Sequence, residues 1–305
     1  MEHYPFHEGE LRAQQLAGGG SGGAAIRPFM PDQHRLFFAG LRYLFVGALD
    51  DAGWPVATVL TGEPGFVQSP HPQVLVVDGL PDHLDPVGHH LKAGAPIGLL
   101  GLDLATRRRN RANGRIGMIG EDGIGIAINQ SFGNCPQYIQ IREVRRAAPS
   151  GRPSIALQGL DQAARDMIAR ADTLFVATSS GAVAAHGGVD ISHRGGLPGF
   201  VRIDGDVLTI PDFRGNRYFN TLGNMLVEPR AALLFVDFER GDVLQLQGRT
   251  EIVWEGADVS QLTGAERVWR FAIETGFRRE AALPLRFTFS AYAAQTVRTG
   301  IWEAR

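Results

Sequence analysis

Gly65, Phe66 and Val67 recur as Gly199, Phe200 and Val201, 134 positions later. Asp103 and Asp237 keep the same offset, and so do the Gly114-Arg115 and Gly248-Arg249 pairs. A constant spacing held across three separate segments marks an internal duplication, which constrains the fold more than any single motif. "YLFVGALDDAG" (43–53), "QVLVVDG" (73–79) and "LLGLDL" (99–104) answer to "TLFVATSSGA" (173–182), "DVLTIPD" (206–212) and "LLFVDF" (233–238). The two copies run roughly over 31–120 and 161–256.

Each copy is rich in apolar or alternating runs of four to eight residues bounded by Gly, Pro or Asp, the signature of short strands. One short helix is expected at the same place in each. In the first copy Asp85 caps it, Pro86 opens it and Gly94 ends it. In the second it starts near Gly215, shows Phe219, Leu222, Met225 and Leu226 on one face, and stops at Pro229. Further helices are expected at 31–41, 161–171 and 264–275. Many short strands with a helix between hairpins point to a mainly β (α+β) chain of two tandem split β-barrels with short connecting helices. The domains expected are an N-terminal extension over 1–30 with a flexible Gly-rich loop ("GGGSGG", 18–23), a first barrel over 31–145 and a second over 146–305.

With 305 residues and 44% hydrophobic composition, the chain can bury a large core. A formal net charge of -2 favours neither nucleic acid nor a membrane surface. No stretch is long and apolar enough to span a bilayer, and the acidic start is no signal peptide, so a cytoplasmic protein is expected. Cys135 is the only cysteine, so neither an internal disulfide nor a Cys-cluster metal site can form. A buried, inert thiol is the expectation for it. "HEGE" (7–10) lacks the second histidine of a zincin, and no metal site is expected. No dinucleotide-binding fingerprint, P-loop or nucleophile elbow is present. Lys92 is the sole lysine among 30 basic residues, so an anion site here is built from guanidinium and backbone N–H groups.

Such groups concentrate in the second copy. "DISHRGG" (190–196) stands where the first copy has "VATVLTG", and "PDFRGNRYFN" (211–220) where it has "DGLPDHLDPVGHH". Ser192, Arg194, Arg214, Asn216 and Arg217 can all donate to a phosphate, and Gly215 lets the backbone approach it. Arg217, placed near a helix start, adds the helix dipole. The alternative is that these arginines form surface ion pairs and the glycines merely turn the chain. The run "ATRRRNRANGR" (105–115) reads as a solvated strand edge rather than a second anion site. "NQSFGNCPQYIQ" (129–140), between the copies, mixes amide, hydroxyl and aromatic groups and is expected to be buried or to touch a ligand.

The second copy's blocks "DISHRGGLPGFVR", "IPDFRGNR" and "LGNMLVEP" resemble the FMN-binding split barrels related to pyridoxamine 5'-phosphate oxidase, and more narrowly a two-barrel group of flavin-nucleotide-binding proteins. The resemblance extends over about 3–296. It implies FMN at a barrel–barrel interface. Ser192 and Arg194 would line the flavin, Arg214, Asn216 and Arg217 would take the phosphate, and Pro211 and Asp212 would shape the turn beneath the ring. The first copy would supply the facing surface through Gln130, Ser131, Phe132 and Asn134. It also implies a homodimer and a small-molecule substrate or a flavin or iron–sulfur reductase partner. The oxidase's C-terminal tryptophan–arginine signature is missing, so vitamin B6 is not the expected substrate. The function expected is an FMN-dependent oxidoreductase or electron carrier, with His193 as its acid–base candidate. The alternatives are a non-catalytic flavin-handling protein or a barrel that binds haem, with His186 and His193 near the site.

Overall fold

The computed structural model describes residues 5–121, 123–149, 151–181 and 187–303. The first sheet comprises β1 (Tyr43–Leu49), β2 (Pro55–Thr61), β3 (Val67–His71), β4 (Val74–Asp78), β5 (Pro96–Asp103), β6 (Arg108–Ile119) and β7 (Gly123–Gly133). After β8 (Ile141–Arg146) and β9 (Ile155–Leu157), the second comprises β10 (Thr173–Ser179), β11 (Val189–Gly195), β12 (Arg202–Asp204), β13 (Val207–Phe213), β14 (Arg230–Val236), β15 (Val243–Val253) and β16 (Ala265–Arg279). The orders are β2-β1-β5-β6-β7-β4-β3 and β11-β10-β14-β15-β16-β13-β12, the same path in both. β17 (Leu285–Ala291) pairs with β8, and all pairings are antiparallel. The chain is thus mainly β, of the split-barrel type. Among the described residues, no helix is long and apolar enough to cross a membrane.

Strand periodicity explains why the two sheets pack back to back. In β1, Leu44, Val46 and Ala48 face the interior of the first sheet, while Tyr43 and Phe45 face the second. In β10, Leu174 and Val176 face inward and Phe175 and Ala177 face the first sheet. Successive side chains point to opposite faces, so a strand buried on both sides reads as a continuous apolar run. Phe45 stacks on Phe175 at 3.6 Å between centroids. Gly98 is needed at this seam: a Cβ there would sit 2.8 Å from the Val189 carbonyl oxygen and 2.9 Å from Asp190 Cα. That close approach presses β11 against β5.

Helices α1 (Glu8–Leu16), α2 (Asp32–Ala39), α3 (Gln162–Arg170) and α4 (Asn220–Val227) complete the frame. The expected helices at 31–41 and 161–171 are α2 and α3. Three other expectations need correction. Asp85 does cap, accepting from Val87 N at 3.0 Å, but the helix it opens is a 3-10 turn over Pro86–His90 that ends before Gly94. The second copy's helix begins at Asn220 rather than Gly215, because Arg217 and Phe219 hold left-handed φ angles of 60° and 62°. Residues 265–275 lie in β16. Val268, Phe271 and Ala272 fit helical spacing, but Trp269 and Phe271 also fit an alternation of two, and pairing with both β13 and β15 decides for the strand.

Of the stretch 129–140, residues 129–133 end the long inner strand β7 and 134–140 connect it to β8, with Ser131, Phe132, Ile139 and Gln140 buried. The 18–23 loop is held in place: Ser21 N donates to the Arg217 carbonyl at 3.2 Å.

Candidate functional site

The "HEGE" stretch turns out to be a helix cap. His7 Nδ1 accepts from Gly9 N at 3.1 Å, and Glu10 Oε2 accepts from His7 N at 2.8 Å, a reciprocal capping box on α1. The cap also reaches into the second sheet's helix. His7 Nε2 donates to Asn224 Oδ1 at 2.8 Å, and Glu10 Oε1 accepts from Asn220 Nδ2. Residues 7–16 thereby dock on α4, whose first turn forms one wall of a cleft.

Burial raises the Glu10 carboxyl to about 7, helped by the neighbouring Asp190, against the hydrogen bonds from His7 and Asn220. A folded value above the unfolded 4.5 means the native state holds the proton more tightly. The stability this contributes is complete below about pH 4.5 and is lost as pH rises through about 7. Denaturant midpoints are therefore expected to fall between pH 5 and pH 8 in the wild type, with Glu10→Gln removing much of that slope. An unchanged slope in the variant would place the titration elsewhere.

The cleft lies where β11, β13 and the start of α4 meet β6 of the first sheet. Of the candidate residues, His193, Arg194, Pro211, Asp212, Gly215, Asn216, Arg217 and Asn134 are brought together in its lining. The remaining candidates are not. Ser192 is fully buried behind the wall, accepting from Arg111 Nη2 at 2.5 Å and hydrogen-bonded to Thr221 Oγ1 at 2.7 Å. The Arg214 side chain is exposed, and only its carbonyl is engaged, by the Tyr138 hydroxyl at 3.2 Å. Gln130 donates to the Pro5 carbonyl at 3.0 Å and faces a separate hollow. Ser131 is paired with His34 at 2.9 Å, and Phe132 packs with Phe6, Ile26 and Tyr218. These three follow the alternation of β7 into the protein interior or the neighbouring hollow. Cys135 is half-buried, not fully buried as expected. His186 lies outside the described residues.

Arg217 does not sit in a helical first turn. It precedes α4 by three residues, and its Nη2 donates to the Ala17 and Gly19 carbonyls at 2.7 Å each. The Gly-rich loop is thereby fastened over the cleft's rim.

Sequence reasoning missed the arginines from the first sheet. β6 is an inner strand between β5 and β7, not a solvated edge. Arg109 and Arg111, two residues apart, share the face turned to β11, while Arg108 lies on the other face over the Phe37 ring at 5.0 Å. Arg111 is 6% exposed and donates to both Asp190 oxygens at 3.0 and 2.8 Å. Arg267, also missed, donates to Asp212 at 2.6 Å and Glu266 at 2.9 Å. The signal available was spacing: alternate arginines in an otherwise apolar strand belong to one face.

Charge within the cleft is unbalanced. Five guanidinium groups (Arg109, Arg111, Arg194, Arg217, Arg267) meet three carboxylates (Asp190, Asp212, Glu266), a formal surplus of two positive charges. Among the described residues Arg109 has no carboxylate partner; burial and the nearby Arg111 and Arg194 push it down to about 9. The Nε atoms of Arg109, Arg194 and Arg217 and the Nε2 of His193 are buried and have no hydrogen-bond partner among the described residues. Donors left without acceptors in a cationic cleft call for an anion. The enclosed space, about 80 Å³, suits a phosphate-sized group. It is far below the several hundred Å³ that encloses a whole nucleotide. Tyr138, Phe213 and Phe219 supply aromatic surface in the same lining, the first two stacked at 5.4 Å.

Residues 160–296 match the family model described as pyridoxamine 5'-phosphate oxidase, which bears out the expected resemblance over the second sheet. No curated protein sequence matches the chain. Among solved structures, HupZ of Group A Streptococcus is similar at 20% identity, covering 44% of this chain and 99% of its own, with a TM-score of 0.32. A FAD-binding protein from Mesorhizobium loti is 12% identical over 41% of this chain and 98% of its own, with a TM-score of 0.28. HutZ, the heme storage protein from Vibrio cholerae, is 15% identical over 40% and 95%, with a TM-score of 0.28.

Proposed function

We propose that this chain is an FMN-binding flavoprotein that seats the cofactor's phosphate in the cleft between β11, α4 and β6. The observation that carries the reading is the surplus of two positive charges beside sealed, unpartnered donors. A phosphate monoester brings a charge close to -2 and oxygens that only accept, which matches both the sign and the size of the deficit. The flavin ring is too large for the enclosed space and would lie over Tyr138, Phe213 and Phe219 at the mouth. The first sheet supplies the facing surface within one chain, but through Arg109 and Arg111 together with Asn134.

Bound FMN would supply the redox chemistry, with electrons coming from a nicotinamide donor or from a flavin or iron–sulfur reductase. The protein's own part is to hold and orient the cofactor. Turnover of a small molecule, residence in the cytoplasm and assembly into a homodimer belong to the same proposal. One observation favours a flavin-handling role without acid–base catalysis: Asp212 and Glu266 both clamp Arg267, which leaves no unpaired carboxylate among the described residues that line the cleft.

Titration with FMN and with riboflavin, followed by flavin fluorescence, tests the reading. FMN is expected to bind at least about a hundredfold more tightly, since several charge-assisted contacts at 1.5–3 kcal/mol each are at stake. Equal affinities, or no binding of either, would overturn it. Incubation of the FMN-loaded protein with NADH and a range of acceptors separates turnover from handling.

A further inference from the structure

We infer that Arg109, from the first sheet, fixes His193 as a neutral imidazole whose Nε2–H is a donor for a phosphate oxygen of the ligand. His193 is then a specificity-determining residue rather than a proton shuttle. The bearer of the phosphate rests on the FMN reading above; the tautomer does not.

The geometry leaves one assignment. Arg109 Nη1 lies 3.2 Å from His193 Nδ1. A guanidinium has donors and no acceptor, so Nδ1 must accept and carries no proton. The neutral ring then holds its proton on Nε2, the atom that is sealed from solvent and has no partner among the described residues. His193 itself is 3% exposed and lines the cleft. Its ring is held in place: Phe175, its register partner on β10, meets it edge-on at 5.8 Å and 68°. Arg194 Nη1 donates to the His193 carbonyl at 3.3 Å.

The charges that act most on the imidazole are Arg109, Arg194, Arg142 and Arg111, all cationic. Burial and these charges hold the ring's pKa well below its ordinary value, so it does not become a second cation near neutrality. An Nε2–H also cannot ligate iron, since the lone pair that would do so is taken up by the proton. Haem ligation through His193 would require breaking the Arg109 contact. What remains is an unpartnered donor on a residue that lines a cationic cleft, suited to an oxygen that only accepts.

Nitrogen-15 NMR of histidine-labelled protein without cofactor tests the tautomer first. The expected result is a protonated Nε2 and unprotonated Nδ1, unchanged from pH 8 to pH 5.5, with Nε2 shifting on addition of inorganic phosphate. An Nδ1–H tautomer, an imidazolium at pH 7, or no response to phosphate would overturn the inference even if FMN binds. In Arg109→Met the tautomer preference is expected to relax, a change a merely structural role would not produce. His193→Phe is expected to weaken FMN about ten- to a hundredfold and leave riboflavin unchanged, while His193→Gln, which retains an N–H, stays within about threefold of wild type. Equal losses for both flavins would place His193 away from the phosphate. If neither flavin binds the wild type, the FMN reading fails while the tautomer and the phosphate response still decide this one.

Discussion

Asp85→Ala is expected to destabilise the protein by about 3–5 kcal/mol, the cost of leaving a buried cation without its partner. Asp85 is 2% exposed and accepts from Val87 N, Gln245 Nε2 and Arg279 Nη2, each at 3.0 Å, and from the Thr58 hydroxyl. Arg279 is itself 3% exposed, and its other ion pair, to Asp82, is longer at 3.4 Å. This cluster has a meaning beyond stability. The 134-residue offset carries Ser192 onto Thr58 and Arg111 onto Gln245, so the network occupies in the first half the place that the cleft occupies in the second. Where the second half keeps a cationic opening, the equivalent place in the first is filled by its own Asp85 and by Arg279 reaching over from β16. One FMN per chain is therefore the expected stoichiometry. Chemical denaturation gives the stability change, and equilibrium titration gives the count. A loss under about 1 kcal/mol, or two equivalents of FMN bound, would show that the network is not the plug described.

The fold was legible where one face of a strand had to meet one core. Leu44, Val46 and Ala48 against Tyr43 and Phe45 announce a strand buried on both sides, and the repeated Leu-Phe-Val of 44–46 and 174–176 announces its counterpart in β10. The same logic failed in two ways. At 264–275 the apolar residues satisfy both periods, and only pairing with β13 and β15, invisible in a single window, chooses between them. At 105–115 the arginines looked like an edge because the alternative, a central strand carrying charge inward, makes sense only once β11 lies opposite. The motifs bring His193, Arg194 and Asn216 to one cleft, the first two from β11 and the third from the loop before α4. The placement of Arg214 and Ser192 was not legible, because motif order says nothing about which way a side chain turns. The docking of His7 and Glu10 on α4, more than 200 residues away in sequence, left no local trace at all.

Arg109→Met is expected to move binding and stability in opposite directions. Arg109 is half-buried, its Nε is sealed, and among the described residues no carboxylate balances it. Burial and the Arg111 and Arg194 charges all disfavour its cation in the empty cleft, so methionine of similar length relieves a cost there. The cofactor-free protein is expected to gain about 0.5–2 kcal/mol. With a phosphate in place the same charge is the attraction, and its loss is expected to weaken FMN by about 2–5 kcal/mol while riboflavin is unaffected. Arg111→Met supplies the contrast. Arg111 holds Asp190 by both oxygens and also holds Ser192, so its removal strands a buried carboxylate and is expected to destabilise the protein whether or not FMN is present. Thermal unfolding of both variants with and without FMN distinguishes the two arginines. A cofactor-free Arg109→Met protein less stable than wild type by more than about 1 kcal/mol would mean that this charge is compensated within the fold, and the cleft's surplus would no longer argue for a dianion.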